Sequence, residues 1–178
     1  MRIISSQDLY KGYFSLKKYE LTDGSGIIID REVFEHPNGA CSIVYDKVKE
    51  KYIFVSQYRV AAKMPMIEVV AGSIDGSDSP ENTIIREIGE ELGYKVDRIK
   101  NVGEFFVSPG SNTEKVFLFY CEVSEKISEG GGIDGESISV IEVDSILDNG
   151  DVLVGEERLR LYDAKSLLGC LMYRNDLN

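Results

Sequence analysis

Several residue types on which particular classes of protein depend are scarce in this sequence. There is one histidine, His36, in 178 residues, so we expect no catalysis by a Ser–His or Cys–His pair. The three cysteines are odd in number, far apart and without a C-x-x-C pair, at positions Cys41, Cys121 and Cys170. We therefore expect neither a disulfide framework nor a zinc site, and we interpret the cysteines as small core residues.

Positive charge is also in short supply. The 20 lysines and arginines stand against 31 aspartates and glutamates, which leaves a formal net charge of −11. A nucleic acid or an anionic membrane would require a basic surface, so neither is expected as a partner. A small anionic ligand remains open if a metal ion or a few arginines reverse the field locally.

Long apolar runs are missing as well. No stretch approaches the ~18 apolar residues of a membrane span, and the N-terminal segment MRIISSQDLYKGYF has no apolar core of signal-peptide length. We therefore expect a soluble, cytoplasmic protein. With 43% hydrophobic residues, the chain suits one domain with a full core, beside which a small N-terminal subdomain remains possible.

The sequence is rich in strand patterns and has few helical ones. Alternating or continuous apolar segments predict a hairpin around Asp23 to Gly26, two further strand pairs and one more strand, over residues 15–22 with 27–36, 40–46 with 51–60, 103–109 with 114–123, and 137–143. Helical patterns are predicted over residues 80–92, 144–147 and 163–173. Together they predict a mixed α/β domain in which a few helices clasp a sheet.

The predicted helix over residues 80–92 has both ends marked and one face buried. Ser79 suits the N-cap, Pro80 the first helical position and Gly93 the position after the last turn. The predicted buried stripe consists of Ile84, Ile85, Ile88 and Leu92.

The same helix gathers three carboxylates on another face. Glu87, Glu90 and Glu91 are spaced i, i+3 and i+4, so their side chains are neighbours. Two carboxylates about 5 Å apart at an effective dielectric near 20 repel by roughly 3 kcal/mol, and divalent cations would remove that cost. Oxygen ligands without a nearby histidine or cysteine favour Mg²⁺ or Mn²⁺. The alternative is a solvated face that only keeps the protein soluble.

Residues 72–94 resemble the Nudix box, whose pattern is G-x5-E-x7-R-E-U-x-E-E-x-G-U, with U an aliphatic residue. Seven positions agree, namely Gly72, Arg86, Glu87, Ile88, Glu90, Glu91 and Gly93. Asp78 stands at the first glutamate of the pattern and Tyr94 at the final aliphatic position. The shorter Asp78 affects an acidic arm that has a supporting part in the family.

The resemblance implies a metal site and a reaction. It implies that Glu87, Glu90 and Glu91 hold Mg²⁺, with Mn²⁺ as a possible substitute, helped by the backbone carbonyl of Ala71. Arg86 lies four residues before Glu90, where it can pair with that carboxylate and orient it, so both are candidate catalytic residues. The implied chemistry is attack of a metal-activated water on a diphosphate linkage.

The flanks of the box resemble the branch of Nudix hydrolases that acts on ADP-ribose and other nucleoside diphosphate sugars. The segments that carry this resemblance are FEHPNGA (34–40), QYR (57–59), EVVAG (68–72), Pro109, which lies sixteen residues after Gly93, and GGGIDGESISVIEV (130–143). The resemblance implies that Glu136 is the general base. If Glu136 merely begins a strand, the base lies elsewhere, with a box glutamate as the candidate.

The same resemblance implies the substrate contacts. Arg59 matches an arginine that binds the substrate diphosphate, with a surface ion pair as the alternative. Glu68 either contacts the substrate or supports a residue that does, and Pro109 is a further candidate contact. Tyr13 and Phe14 match a stretch that is exchanged across a homodimer and lends an aromatic surface to the base, with core packing as the alternative.

The predicted organisation is therefore a β-strand subdomain over residues 1–38, exchanged in a homodimer, and a Nudix domain over residues 39–178. The implied fold is a mixed β-sheet between helices, an α/β/α sandwich. The predicted function is Mg²⁺-dependent hydrolysis of ADP-ribose or a related nucleoside diphosphate sugar, with GDP-mannose as the alternative within the family. The short connection between Arg59 and Glu68 favours ADP-ribose, and Val70, which stands where many ADP-ribose hydrolases have proline, weakens that preference.

A hypothesis from another class is a Nudix-fold module that senses a nucleotide sugar without cleaving it. The four residues Arg86, Glu87, Glu90 and Glu91 argue against that hypothesis, because a pure binder has no need of them.

Overall fold

The computed structural model describes residues 1–132 and 137–176 of the chain. Within these ranges the helices are α1 (Pro80–Glu87), continued by a π-helical turn (Ile88–Leu92), and α2 (Ala164–Asp176). The strands are β1 (Arg2–Lys11), β2 (Ser15–Thr22), β3 (Ile28–Glu35), β4 (Gly39–Asp46), β5 (Lys51–Arg59), β6 (Met64–Glu68), β7 (Val70–Ser73), β8 (Tyr94–Phe106), β9 (Lys115–Lys126), β10 (Ser139–Val143), β11 (Ser145–Ile146), β12 (Val152–Val154) and β13 (Glu157–Leu159).

The chain folds into two compact units, and the smaller one contains the N-terminus. It comprises residues 1–38 together with 105–115, and its sheet has the order β1-β2-β3 with antiparallel pairing. The predicted hairpin between β2 and β3 is confirmed, since Asp23 accepts a 2.8 Å hydrogen bond from the Ser25 backbone N–H within its turn. Backbone hydrogen bonds tie the second segment to the end of β3, for example from Phe34 N–H to the Ser111 carbonyl at 2.8 Å.

The larger unit is built on a mixed sheet. It comprises residues 39–104 and those described from Val116 onwards, and its strand order is β10-β5-β4-β9-β8, with β6 beside β5 and β7 beside β4. Strands β4 and β9 are parallel, whereas β4 and β5 are antiparallel. The predicted pairs β4 with β5 and β8 with β9 are confirmed.

Strand β8 begins at Tyr94, well before the predicted start at residue 103. Its first half carries charged residues such as Lys95, Asp97 and Arg98, which hide the strand pattern in the sequence. Those charges are tolerated because β8 is the last strand of the sheet order and most of its side chains are at least partly exposed.

The short helix predicted over residues 144–147 is wrong. Ser145 and Ile146 instead form β11, which pairs with β12. The turn between them closes through a 2.8 Å hydrogen bond from Leu147 N–H to the Asp151 carbonyl, with Gly150 at φ 84°. Four residues are too few to hold a helix by their own propensity, so the paired arrangement wins.

The core of the larger unit lies on both faces of its sheet. Ile84, Ile88 and Leu92 of the first helical segment are fully buried and belong to the same apolar cluster as Val44 on β4. On α2, Gly169 approaches Leu118 of β9 and Ile43 of β4, so neighbouring β4 residues face opposite helices. The predicted clasp of the sheet by helices is therefore confirmed.

Two details of the predicted core can be checked directly. Ile85 is 42% exposed, so its assignment to the buried stripe is wrong. The helix buries positions spaced by four, at 84, 88 and 92, and residue 85 is turned away from them. All three cysteines are buried thiols, as predicted.

In the part of the chain that the structure describes, no helix combines the length and apolar character needed to cross a membrane.

Candidate active site

The helical segment that carries the three glutamates starts and stops where the sequence predicts. The Ser79 side chain accepts a 3.1 Å hydrogen bond from the Asn82 backbone N–H, and Gly93 ends the segment in the left-handed conformation at φ 75°. Burial of Ile84, Ile88 and Leu92 contributes roughly 2 kcal/mol each. This packing fixes the segment against the sheet and so fixes the direction of its polar face.

The second half of that segment is a π-helical turn. It covers Ile88–Leu92 and therefore includes Glu90 and Glu91. Single π turns inserted in α-helices are frequent at functional sites. In this turn Glu91 is only 4% exposed although it is a carboxylate, while Glu90 is partly accessible.

Glycine at position 72 makes room for the first of the three carboxylates. A Cβ atom at Gly72 would lie 1.9 Å from Glu87 Oε1 and 2.2 Å from its carboxyl carbon. Gly72 and Ala71 lie on β7, which pairs with β4 through Cys41 opposite Ala71. The fold therefore seats the Glu87 carboxylate directly against the backbone next to Ala71.

Substitution of Gly72 by alanine tests this seat. The new methyl group cannot coexist with the carboxylate, so Glu87 must move. We expect Gly72→Ala to lower kcat/KM about 100-fold or more, since positioning errors of this size in a site have such effects. The measurement is steady-state hydrolysis with a check of folding by circular dichroism.

The matched control is Gly89→Ala in the π-helical turn, where a Cβ would meet only the Tyr94 carbonyl oxygen at 4.0 Å. It should leave activity near the wild-type level. Wild-type activity in Gly72→Ala would show that the close approach of Glu87 has no functional meaning.

Arg86 lies between two of the carboxylates. Its guanidinium donates to Glu87 Oε1 at 2.8 Å and to Glu90 Oε2 at 2.6 Å. Partial burial alone would lower the pKa of Arg86, but the charges of Glu87 and Glu90 outweigh it and raise this pKa. One guanidinium thus orients two carboxylates. Its contact with Glu90 is the one that the i, i+4 spacing predicts.

The residue types on this helical segment suit a hard divalent cation. Glu87, Glu90 and Glu91 offer carboxylate oxygens, which are the ligands that Mg²⁺ prefers, and Ala71 lies next to Gly72 on β7. Within residues 1–132 and 137–176, no three acidic, histidine or cysteine side chains converge in a ready-made ligand cluster. Two of the three carboxylates are instead engaged by Arg86.

Asp78 has a different place from the three glutamates. Its carboxylate accepts hydrogen bonds from the Ser79 backbone N–H at 3.0 Å and from the Thr83 hydroxyl at 3.4 Å, at the start of α1. An acidic residue there is favourable for the helix N-terminus.

A glycine-rich loop is anchored on the backbone of the glutamate turn. Gly131 N–H donates to the Glu91 carbonyl at 2.8 Å, and Gly132 N–H donates to the Glu90 carbonyl at 3.1 Å. Gly130, at φ 70°, approaches so closely that a Cβ would lie 2.5 Å from the Glu91 carbonyl oxygen. Glu136, the predicted general base, follows in the sequence and lies outside the described residues.

Arg59 and Glu68 form a pair in which the carboxylate is buried. Arg59 donates through Nε to Glu68 Oε1 at 2.7 Å and through a terminal nitrogen to Glu68 Oε2 at 2.9 Å. Glu68 is 1% exposed, whereas the Arg59 side chain is 41% exposed. Burial alone would raise the pKa of Glu68, but the hydrogen bond from Arg59 and the charge of Lys165 outweigh it, so this pKa lies below its usual value. Glu68 is therefore ionised at neutral pH.

Sequence reasoning missed Lys165, which also binds Glu68. Its Nζ lies 2.6 Å from Glu68 Oε2. No local signal could have revealed it, because the two residues are 97 positions apart and only the packing of α2 brings them together.

The remaining predicted residues, Tyr13, Phe14 and Pro109, belong to the smaller unit. Tyr13 is 94% exposed, so the alternative that it packs in the core of this chain is wrong. Phe14 is partly buried, and its ring lies 5.1 Å from that of Phe34 and stacks on His36 at 4.8 Å. The glutamates and Arg59 belong to the larger unit.

Comparison with known proteins shows the family to which this chain belongs. The family model described as NUDIX domain matches residues 35–160. A GDP-mannose pyrophosphatase from Klebsiella pneumoniae subsp. pneumoniae is 37% identical over 155 residues, which are 80% of this chain and 78% of that protein. A GDP-mannose pyrophosphatase from Salmonella arizonae is 37% identical over 153 residues, which are 79% of this chain and 80% of that protein.

A solved structure, described as the crystal structure of ADP compounds hydrolase, shares the fold. It superposes with a TM-score of 0.75 at 15% identity and covers 99% of this chain and 93% of its own. The family model spans most of the chain, and the relatives at 37% identity cover about four fifths of it. This chain therefore belongs to the Nudix family of hydrolases.

Proposed function

We propose that this protein is a divalent-metal-dependent pyrophosphatase that cleaves the diphosphate linkage of a nucleoside diphosphate sugar. The products are a nucleoside monophosphate and a sugar phosphate. The observation that carries this proposal is the carboxylate face itself, in which Glu87 sits against Gly72 and Arg86 joins Glu87 to Glu90. A module that only binds nucleotide sugars would have no use for this arrangement.

The metal-binding residues in this proposal are Glu87, Glu90 and Glu91, with the carbonyl of Ala71, and the preferred ion is Mg²⁺, with Mn²⁺ as a substitute. Oxygen-only donors of this kind match the ligand preference of Mg²⁺. When bound, the ion would lower the pKa of a water molecule and offset charge on the diphosphate.

The remaining steps belong to the side chains of this chain. Arg59 keeps guanidinium N–H groups beyond the two that bind Glu68, and these are proposed to hold the diphosphate. Arg86 orients Glu90. Glu136 is proposed to take the proton of the attacking water as its oxygen bonds to phosphorus. The anhydride P–O bond then breaks, and each product keeps one phosphate.

Two substrates are favoured by different observations. GDP-mannose is favoured because the relatives at 37% identity carry that name. ADP-ribose is favoured by the spacing of Pro109 from Gly93 and by the short connection from Arg59 to Glu68.

The test is kcat/KM for GDP-mannose and ADP-ribose with Mg²⁺, with products separated and identified. We expect GDP-mannose to give GMP and mannose 1-phosphate with the higher kcat/KM. A higher value for ADP-ribose would reverse the substrate assignment. A purified protein inert towards both compounds and towards other nucleoside diphosphate sugars would contradict the proposed function.

The proposal extends to a cytoplasmic homodimer. The buried thiols suit a reducing compartment, and the smaller unit exposes apolar side chains along and after β1, including Ile3 at 60%, Tyr10 at 64% and Tyr13 at 94%. A second copy would cover them and place Tyr13 and Phe14 beside the substrate base. Light scattering on the purified protein would reveal a monomer if this part of the proposal fails.

A further inference from the structure

The first turn of α2 forms hydrogen bonds with the last residue of β6 and with the residue that follows it. At the first, Lys165 Nζ donates to Glu68 Oε2 at 2.6 Å, on the carboxylate that also binds Arg59. At the second, the Ser166 hydroxyl accepts a 2.9 Å hydrogen bond from the Val69 backbone N–H. Both contacts lie just before Ala71 and Gly72 in the sequence, so α2 holds the strand segment that leads into the glutamate seat.

Asp163, just before α2, contacts both Lys165 and Ser166. It lies 2.9 Å from Lys165 Nζ and accepts hydrogen bonds from both the backbone N–H and the hydroxyl of Ser166. Burial alone would lower the pKa of Lys165, but the charges of Asp163 and Glu68 outweigh it and raise this pKa. Lys165 therefore stays protonated between two carboxylates at neutral pH.

Three ion pairs connect four side chains of alternating charge in the order Arg59, Glu68, Lys165 and Asp163. Two cations and two anions leave no net charge. Without Lys165 the same cluster would carry a net charge of −1, and among the described residues Arg59 would be the one cation left on the buried Glu68 carboxylate. The two carboxylates of Glu68 and Asp163 would then outweigh the single positive charge of Arg59, which would weaken its attraction for a diphosphate.

We propose that Lys165 is a positioning residue for substrate binding, which acts through Glu68 to keep Arg59 oriented and able to bind a diphosphate. This inference rests on the proposed function, because it takes the substrate to be a nucleoside diphosphate sugar. Lys165 holds one oxygen of Glu68, and Glu68 holds the guanidinium through its Nε and one terminal nitrogen. A guanidinium has five N–H groups, so three remain for phosphate oxygens.

The experiment is a double-mutant cycle with Lys165→Met and Arg59→Gln, read as KM and kcat for the better of the two substrates. We expect Lys165→Met to raise KM about tenfold and to change kcat much less, because diphosphate binding is shared by ground state and transition state. In the Arg59→Gln background, Lys165→Met should raise KM no further, since both residues act through one contact. A purely structural role would not give this dependence on Arg59.

Two further variants serve as checks. Lys47→Met removes a lysine from an ion pair with Asp97 outside this cluster and should leave KM unchanged. Lys165→Gln keeps a hydrogen-bond donor for Glu68 without the charge, should fold if Lys165→Met does not, and should give an intermediate KM.

The outcomes separate this inference from the proposed function. An active wild type with unchanged KM in Lys165→Met and Lys165→Gln would overturn the positioning role alone. Independent effects of Lys165→Met and Arg59→Gln that multiply in the double mutant would also overturn it. An inactive wild type would overturn the proposed function, and this inference with it.

Discussion

Replacement of Glu90 by glutamine should lower kcat by about two to four orders of magnitude, because the proposed metal site would lose one anionic ligand and with it several kcal/mol of transition-state stabilisation. Glutamine has nearly the same size and helix propensity, so the helical segment should persist. What changes is the charge of a side chain that accepts a 2.6 Å hydrogen bond from Arg86. The measurements are steady-state turnover and Mn²⁺ affinity by electron paramagnetic resonance, and both should fall together.

The matched control for this prediction is Glu81→Gln. Glu81 lies in the first turn of α1, is exposed, and carries the same charge on the same helical segment. Its loss should cost only a few tenths of a kcal/mol through the helix dipole and leave turnover unchanged. If Glu90→Gln were as active as Glu81→Gln, Glu90 would not be a metal ligand and the metal site would have to lie elsewhere.

Replacement of Glu136 by glutamine should lower kcat about 10²- to 10⁴-fold and leave KM nearly unchanged, because a general base acts in the transition state. Glu136 lies outside the described residues, so this prediction depends on the sequence resemblance and on the loop before it. That loop is tied to the carbonyls of Glu90 and Glu91 by the N–H groups of Gly132 and Gly131. In the sequence, Glu136 follows this anchored loop by four residues.

Glu129→Gln provides the control within the same loop. The Glu129 side chain is fully exposed and has a 3.6 Å contact with Lys126. An exposed ion pair of this kind contributes little, so turnover and its pH profile should match the wild type. Equal turnover in Glu136→Gln would transfer the role of base to a box glutamate.

The local features of the site could be predicted because they depend on spacing within one short segment. Ser79, Gly93 and the three glutamates all lie within residues 79–93, and helix geometry places such residues on defined faces and ends. The same holds for the hairpin of β2 and β3, whose turn residues determine its shape. The strands β4, β5 and β9 were predictable because each contains a predominantly apolar segment.

Local reasoning failed where a neighbour in space outweighs a neighbour in sequence. Ile85 has the residue type of the core but faces away from it, and residues 144–147 pair with β12 rather than forming a helix. The early start of β8 is hidden by its charged residues. The inclusion of residues 105–115 in the smaller unit likewise depends on backbone contacts with the end of β3, which no pattern in that segment announces.

The resemblance of residues 72–94 to the Nudix box was sufficient to indicate the type of chemistry, since all residues of that pattern lie in one short segment of the sequence. The close approach of Glu87 to Gly72 and the hydrogen bond from Lys165 to Glu68 were decided only by tertiary packing. Both contacts join separate elements, and the second spans 97 positions of the chain. Contacts at such separations depend on how sheets and helices pack, because local backbone geometry has no influence over that range.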